Sequence, residues 1–211
     1  MNKAIIFDMD GVLLDSMPAW GQVGISFVQK RGIEPPADLR ETLKPMGLEQ
    51  TAVYFKERFG FGESPQAIVS EIYELVADGY LNSFKLKDGV RQFMYNCYDA
   101  GIPAAVATAT STPLAQRAFR RLEVDEYIRF VISCDDVGKS KADPLIYQLA
   151  AQRLGVTPEE TTVFEDAYFC AQTAKKAGFT VVGVYDESAS EQEQAMRALC
   201  DRYIMSFEEL L

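Results

Sequence analysis

The sequence contains no histidine. That absence removes Ser-His-Asp and Cys-His relays, phosphohistidine intermediates and imidazole-bound metals together, so catalysis must rest on carboxylates, lysines, hydroxyls or a metal they hold. Cysteine is sparse and scattered. Cys97, Cys134, Cys170 and Cys200 form no pair at two-residue spacing, so neither a zinc site nor a dithiol motif is signalled, and reduced, mostly buried thiols are expected. Long apolar runs are missing as well. The run Ala4 to Phe7 after Met1-Asn2-Lys3 is too short for a signal peptide or a span, and no later run reaches about 18 residues, so a cytoplasmic protein is expected. Positive charge is in deficit, with 21 Lys and Arg against 31 Asp and Glu, a net charge of -10. Such a field repels nucleic acid and anionic membranes, so neither is expected as a partner. Lys30-Arg31 and Lys175-Lys176 read as solvated helix ends. An anionic substrate would therefore need local cations or a metal.

What is present is ordinary for a globular protein: 48% of residues are apolar and 25% charged. A chain of 211 residues accommodates one domain of about 150 residues with a smaller module, or one large domain. Ala4-Ile5-Ile6-Phe7 is a continuous apolar run ending in Asp8, as in a strand buried on both faces. Similar runs recur at Ile102 to Ala107, Phe130 to Ile132, Thr161 to Phe164 and Thr180 to Val184. Between them, Gly89 to Ala100, Pro113 to Leu122, Pro144 to Leu154 and Ala167 to Ala177 carry apolar residues at helical spacing. This alternation predicts an α/β fold with a doubly wound parallel sheet. From Met17 to Leu81 the spacing is helical throughout, which predicts a small inserted helical domain over 17–81 and a core formed by 1–16 and 82–211. An insertion directly after the first strand would belong above the carboxyl ends of the sheet, where ligands bind in open α/β folds. That place suits a lid.

Chemistry concentrates at four predicted strand ends. Asp8-Met9-Asp10-Gly11 sets two carboxylates one residue apart at the end of a buried strand, and buried carboxylates are costly unless paired or metal-bound. A calcium loop would need an oxygen ligand at position 12 and its glycine two residues later, and Val12 fails that pattern. Taken alone, the segment could be a capped strand-to-turn junction. Thr108, followed by Ala109-Thr110-Ser111-Thr112 and Pro113, offers hydroxyls and free backbone donors suited to a phosphate oxygen, although a helix cap explains the same residues. Lys139-Ser140-Lys141-Ala142-Asp143-Pro144 supplies cations. It is not a phosphate-binding nucleotide loop, because Ser133 stands where that motif needs glycine. Glu165-Asp166 after the fourth run is a second acidic pair, with helix capping as its bland alternative. Carboxylate pair, hydroxyl, lysine and carboxylate pair, in that order at four strand ends, are improbable as a set of caps.

In this order the segments resemble the four motifs of the haloacid dehalogenase superfamily, from Phe7 to Gly178. Phe-Asp-Met-Asp-Gly-Val-Leu-Leu-Asp-Ser is similar to the first motif, and Phe164-Glu165-Asp166 followed by Ala174-Lys175-Lys176-Ala177-Gly178 to the fourth. The likeness is to members with a helical C1-type cap, the β-phosphoglucomutase and phosphoglycolate phosphatase groups. It implies a phosphatase of a small phosphorylated metabolite in which Asp8 forms an aspartyl-phosphate and Asp10 acts as acid and base. It further implies that Thr108 binds a phosphoryl oxygen. Lys141-Ala142-Asp143-Pro144 aligns with the family's Lys-Pro-x-Pro pattern, so Lys141 rather than Lys139 neutralises charge. A magnesium ion would be held by Asp8, the carbonyl of Asp10 and Asp166, with Glu165 adjoining it or binding it directly. Oxygen-only ligands agree with magnesium rather than zinc.

Trp20, Lys44, Ala109 and Thr110 are candidate substrate contacts. Trp20 stands near the place of a cap histidine in β-phosphoglucomutases, and Lys44-Pro45-Met46-Gly47-Leu48 lacks the arginine of their cap loop, so hydrolysis is expected over mutation of a phosphosugar. The alternatives kept open are that mutase and a non-catalytic binding protein. The sequence does not specify the metabolite or the oligomeric state, and a monomer suffices for this chemistry.

Overall fold

The computed structural model describes residues 3–43, 46 and 48–211. They divide into two compact units, Met1–Asp15 with Phe84–Leu211, and Ser16–Ser83. The larger unit is built on a parallel sheet of six strands: β1 (Ala4–Phe7), β2 (Ala104–Thr108), β3 (Phe130–Ser133), β4 (Thr161–Glu165), β5 (Thr180–Val184) and β6 (Arg202–Ile204). Their spatial order is β3-β2-β1-β4-β5-β6. That order is the doubly wound one, in which the direction of strand addition reverses beside β1, and the crevice outside the carboxyl ends of β1 and β4 is where such sheets take ligands. The register Phe7 against Phe164 brings the last residue of β1 level with the end of β4.

The strands form because their residues are buried on both faces, so the usual alternation of polar and apolar disappears. Ile6, Val163 and Val181 face one layer and pack with Ile146, Tyr147, Ala150, Ala171 and Ala174. Those partners come from α8 (Leu145–Leu154) and α9 (Tyr168–Lys176), which follow α5 (Val90–Asp99), α6 (Thr112–Arg121) and α7 (Cys134–Val137) in the chain and precede α10 (Glu193–Leu199). Neighbouring side chains in a strand point to opposite faces, so Phe7 and Phe164 face the other layer. There they form an aromatic cluster with Phe93 of α5 and Phe207, with ring centroids 5.1 to 6.2 Å apart. β6 departs from the expected five strands. It is short and begins at an exposed Arg202, so it carries no apolar run to betray it. Thr108 and Glu165 also prove to be the last residues of β2 and β4 rather than the residues that follow them.

The smaller unit contains α1 (Met17–Lys30), α2 (Leu39–Leu43), α3 (Leu48–Phe59) and α4 (Pro65–Asp78), with a π-helical turn at Gly79–Ser83. Ser64 starts α4 by accepting from Ala67 N at 3.2 Å, with Pro65 in the first turn. The unit has its own core. Phe27 stacks on Phe55 at 5.0 Å, Phe61 meets Phe27 edge-on, and Ala52, Ile68, Ile72 and Val76 complete it. Across this core, the guanidinium of Arg31 lies 3.7 Å from the centroid of the Phe27 ring and pairs with Glu71 at 2.5 Å.

Gly89 shows how closely the larger unit is packed. It precedes α5 with φ +79°, and an added Cβ would lie 2.5 Å from Glu208 N and 2.7 Å from the carbonyl carbon of Phe207. Gly155 has a similar φ of +76° after α8 but open space around it. Gly155→Ala should therefore cost about 1–2 kcal/mol, the left-handed penalty alone, whereas Gly89→Ala adds a backbone clash and should cost clearly more in urea unfolding. Equal losses would show that the C-terminal turn does not press on Gly89.

Candidate active site

The carboxyl ends of β1 and β4 gather four charged side chains. Asp8 follows β1, Glu165 ends β4, and Asp166 follows it. Lys141 enters from the loop before α8. Its Nζ lies 2.5 Å from Asp8 Oδ1 and 2.7 Å from Glu165 Oε1. All four are buried, Glu165 completely so. The phenol of Tyr147, in the first turn of α8, donates to the same Glu165 Oε1 at 2.7 Å. Lys139, by contrast, is exposed and lies 3.9 Å from Asp143 in the loop before α8.

The end of β2 supplies a different group. Thr108 is fully buried, and its hydroxyl oxygen accepts from Thr110 N at 3.0 Å. Thr110 in turn donates from Oγ1 to Asp10 Oδ2 at 2.7 Å. Thr110, a candidate substrate contact in the sequence, is thus buried and engaged with Asp10, while Ala109 beside it is exposed. Trp20 lies in the smaller unit, where its Nε1 donates to the Tyr80 hydroxyl at 2.9 Å and its ring meets Tyr73 edge-on. Lys44, with Pro45 and Gly47 of its loop, lies outside the described residues.

Burial sets the electrostatics. Desolvation, reinforced by the neighbouring Glu165 charge and only partly offset by Lys141, pushes the Asp8 carboxyl up to about 7. Asp166 is also held well above the usual carboxylate range, first by burial and then by Asp8, Glu165 and Asp186. For Lys141 burial works against the charged form, yet Asp8 and Glu165 outweigh it and keep the ammonium protonated far beyond neutrality. The cysteines are no part of this chemistry. All are free, and burial raises Cys97 and Cys200 to about 11, leaving protonated, unreactive thiols.

The residues fit a divalent cation. Asp8, Glu165 and Asp166 each present a carboxylate oxygen, and these oxygens lie within 4.8 Å of one another. Ionised, the three acids exceed the single ammonium by two negative charges. Glu165 Oε2 is buried without a hydrogen-bond partner, an expensive state for a carboxylate oxygen unless a cation meets it. A donor set made only of oxygens suits a hard ion such as magnesium.

Comparison with known proteins identifies the family. The profile of the Haloacid dehalogenase-like hydrolase family matches residues 5–184. The chain belongs to that family. Among its relatives, a phosphorylated carbohydrates phosphatase of Thermotoga maritima is 30% identical over 83% of this chain and 82% of its own. A fructose-1-phosphate phosphatase of Escherichia coli is 30% identical over 85% and 95%. In three dimensions, CbbY of Rhodobacter sphaeroides, in complex with xylulose-(1,5)bisphosphate, superposes with a TM-score of 0.79 at 25% identity, covering 100% of this chain and 96% of the other. No helix among the described residues is long and apolar enough to cross a membrane.

Sequence reasoning missed Tyr147, because at its place in α8 an aromatic residue reads as core. It missed Asp186 as well, which carries no motif. If Lys141 holds the acids together, Lys141→Met should lose about 3–5 kcal/mol in urea unfolding with chelator present, the loss typical of breaking a buried pair. Tyr147→Phe should lose about 1.5–3 kcal/mol, one hydrogen bond to a charged acceptor. A neutral Lys141→Met would contradict the buried pair.

Proposed function

We propose that the chain is a magnesium-dependent phosphomonoesterase acting on a small phosphorylated metabolite, a sugar phosphate being the favoured class. The observation that carries the reading is the Asp8–Lys141–Glu165 contact beside Asp166 at the sheet's switch point. Asp8 is the nucleophile: a carboxylate oxygen attacks phosphorus, and the substrate's alcohol oxygen leaves. Asp10, held by Thr110, gives that oxygen its proton. Asp10 then takes a proton from water, the water oxygen attacks the phosphorus of the aspartyl-phosphate, and inorganic phosphate departs with Asp8 restored. Lys141 offsets the charge that gathers on the phosphoryl oxygens, and the buried Thr108 at the end of β2 is assigned to one of those oxygens. Asp8, Asp166 and the Asp10 carbonyl, with Glu165 beside them, would hold a magnesium ion, which would supply the remaining positive charge that an anionic nucleophile needs to approach an anionic phosphate. The second carboxylate, Asp10, supports hydrolysis of phosphate esters over dehalogenation. That two relatives are phosphatases of phosphorylated carbohydrates favours hydrolysis over the phosphosugar mutase alternative.

The purified chain should release phosphate from an aryl phosphate and, more selectively, from members of a sugar phosphate panel, and chelation should abolish release. Asp8→Asn should be inactive. Asp10→Asn should lose about 10²–10⁴-fold in kcat while retaining the rise in melting temperature that magnesium gives the wild type. Asp166→Asn should lose that rise. Turnover by Asp8→Asn would overturn the mechanism, and an unaltered melting temperature in magnesium would overturn the metal assignment.

A further inference from the structure

Lys87 is a charged side chain that the chemistry above leaves without a task. It belongs to the larger unit, on the segment that enters α5, and it is only 17% exposed at its side chain. Its backbone pairs with the chain that follows Asp10. Lys87 N donates to Leu13 O at 2.9 Å, Asp15 N donates to Lys85 O at 3.0 Å, and Leu14 and Leu86 form an antiparallel bridge between them. The side chain then turns towards the sheet. Nζ donates to Gly11 O at 2.7 Å, to Tyr185 O at 2.6 Å and to Asp186 Oδ2 at 3.1 Å. An ammonium has three donors, and each meets an oxygen from a different residue. The other oxygen of Asp186 is occupied by Ser188, accepting from N at 3.0 Å and from Oγ at 2.6 Å.

The three acceptors join two loops that must stay in register. Gly11 follows Asp10 in a tight turn, with φ +79° and Gly11 N donating to Leu14 O at 3.0 Å. Tyr185 and Asp186 follow β5, the strand next to β4 with its acidic end. Thr110 holds the Asp10 carboxylate from the β2 side, and Lys87 holds the next residue's carbonyl from the β5 side. The turn that carries the acid and base is therefore fixed from both flanks.

We propose that Lys87 is a positioning residue for catalysis, its ammonium clamping the Asp10-Gly11 turn to the end of β5 through Gly11, Tyr185 and Asp186. The inference rests on the phosphatase reading, since it makes Asp10 the group being positioned. Displacing an acid and base by about an ångström costs on the order of a hundredfold in rate, and loss of such supporting contacts to a site lowers activity about ten- to a hundredfold.

Lys87→Met, with the stem but not the charge, should lose about ten- to a hundredfold in kcat for an aryl phosphate with KM little changed, and Lys87→Arg should recover most of the loss. In hydrogen exchange the amides of Leu13 and Leu14, which donate to Met9 O, should lose protection in Lys87→Met while those of Val163 and Val181 keep theirs. Asp186→Asn, which removes one charged arm, should change both readouts in the same direction but less. A folded Lys87→Met with unchanged kcat and unchanged exchange at Leu13 and Leu14 would overturn the clamp. Equal kcat losses in Lys87→Met and Lys87→Arg would overturn it too. Should Lys87→Met not fold, unchanged kcat and exchange in Asp186→Asn would serve as the overturning result. A wild type without turnover would strike the phosphatase reading alone, and the exchange comparison would then decide the clamp.

Discussion

The structure turns on one ammonium placed between two carboxylates out of water. Lys141 lies 2.5 Å from Asp8 and 2.7 Å from Glu165 with almost no solvent access. Bringing charged groups into such a place costs several kcal/mol per ion, and mutual attraction returns that cost only when the geometry is good. With Asp166 added, the arrangement is deliberately short of positive charge. Stability alone would favour apolar residues here, so the cluster makes sense as a site held ready for a cation and an anion that arrive from outside.

The rest of the larger unit supplies the rigidity this requires. Directly beneath the acids, Phe7 and Phe164 precede Asp8 and Glu165 in the chain and pack with ring centroids 5.1 Å apart. Phe93 and Phe207 close the cluster from the helix layer and the C-terminal turn. The aromatic floor keeps water away from below and fixes the two strand ends against each other, while the opposite face is sealed by α8 and α9. α8 contributes Tyr147 to Glu165. One helix therefore serves packing and electrostatics together, and a change in its seating would be felt at the carboxylate.

The fold class was legible because a doubly wound sheet writes itself as apolar runs alternating with helical spacing. Thr180 to Val184 was readable to the residue, since both of its faces are covered. β6 was not, because an edge strand of three residues with an exposed arginine has no burial pattern to display. At the site, Asp8, Asp10, Glu165 and Asp166 stood out as chemistry because charged residues at the ends of buried runs need a reason, whereas Lys141, beyond α7, was separated from Lys139 only by the family resemblance. Tyr147 and Lys87 did not stand out. An aromatic residue on an apolar helix face reads as filling, and a lysine in a charged linker reads as solvated. Only the three-dimensional course of the chain reveals that each ends on an oxygen near the site.

The charge count explains how an acidic protein can select an anion. At a net charge of -10 the long-range field opposes a phosphorylated substrate, and screening in physiological salt confines that opposition to about 8 Å. Capture then has to be local. Lys141 is already committed to two carboxylates, and Lys87 to Asp186 and two carbonyls, so neither protein cation of this region stands as a free charge waiting for phosphate. In the proposed mechanism the positive charge that tips the balance comes with a divalent ion, for which Asp8, Glu165 and Asp166 offer carboxylate oxygens. That proposal makes the binding of ion and phosphate mutually dependent, because the acids would hold the ion and the ion would offset the negative charge that a phosphate meets beside Asp8.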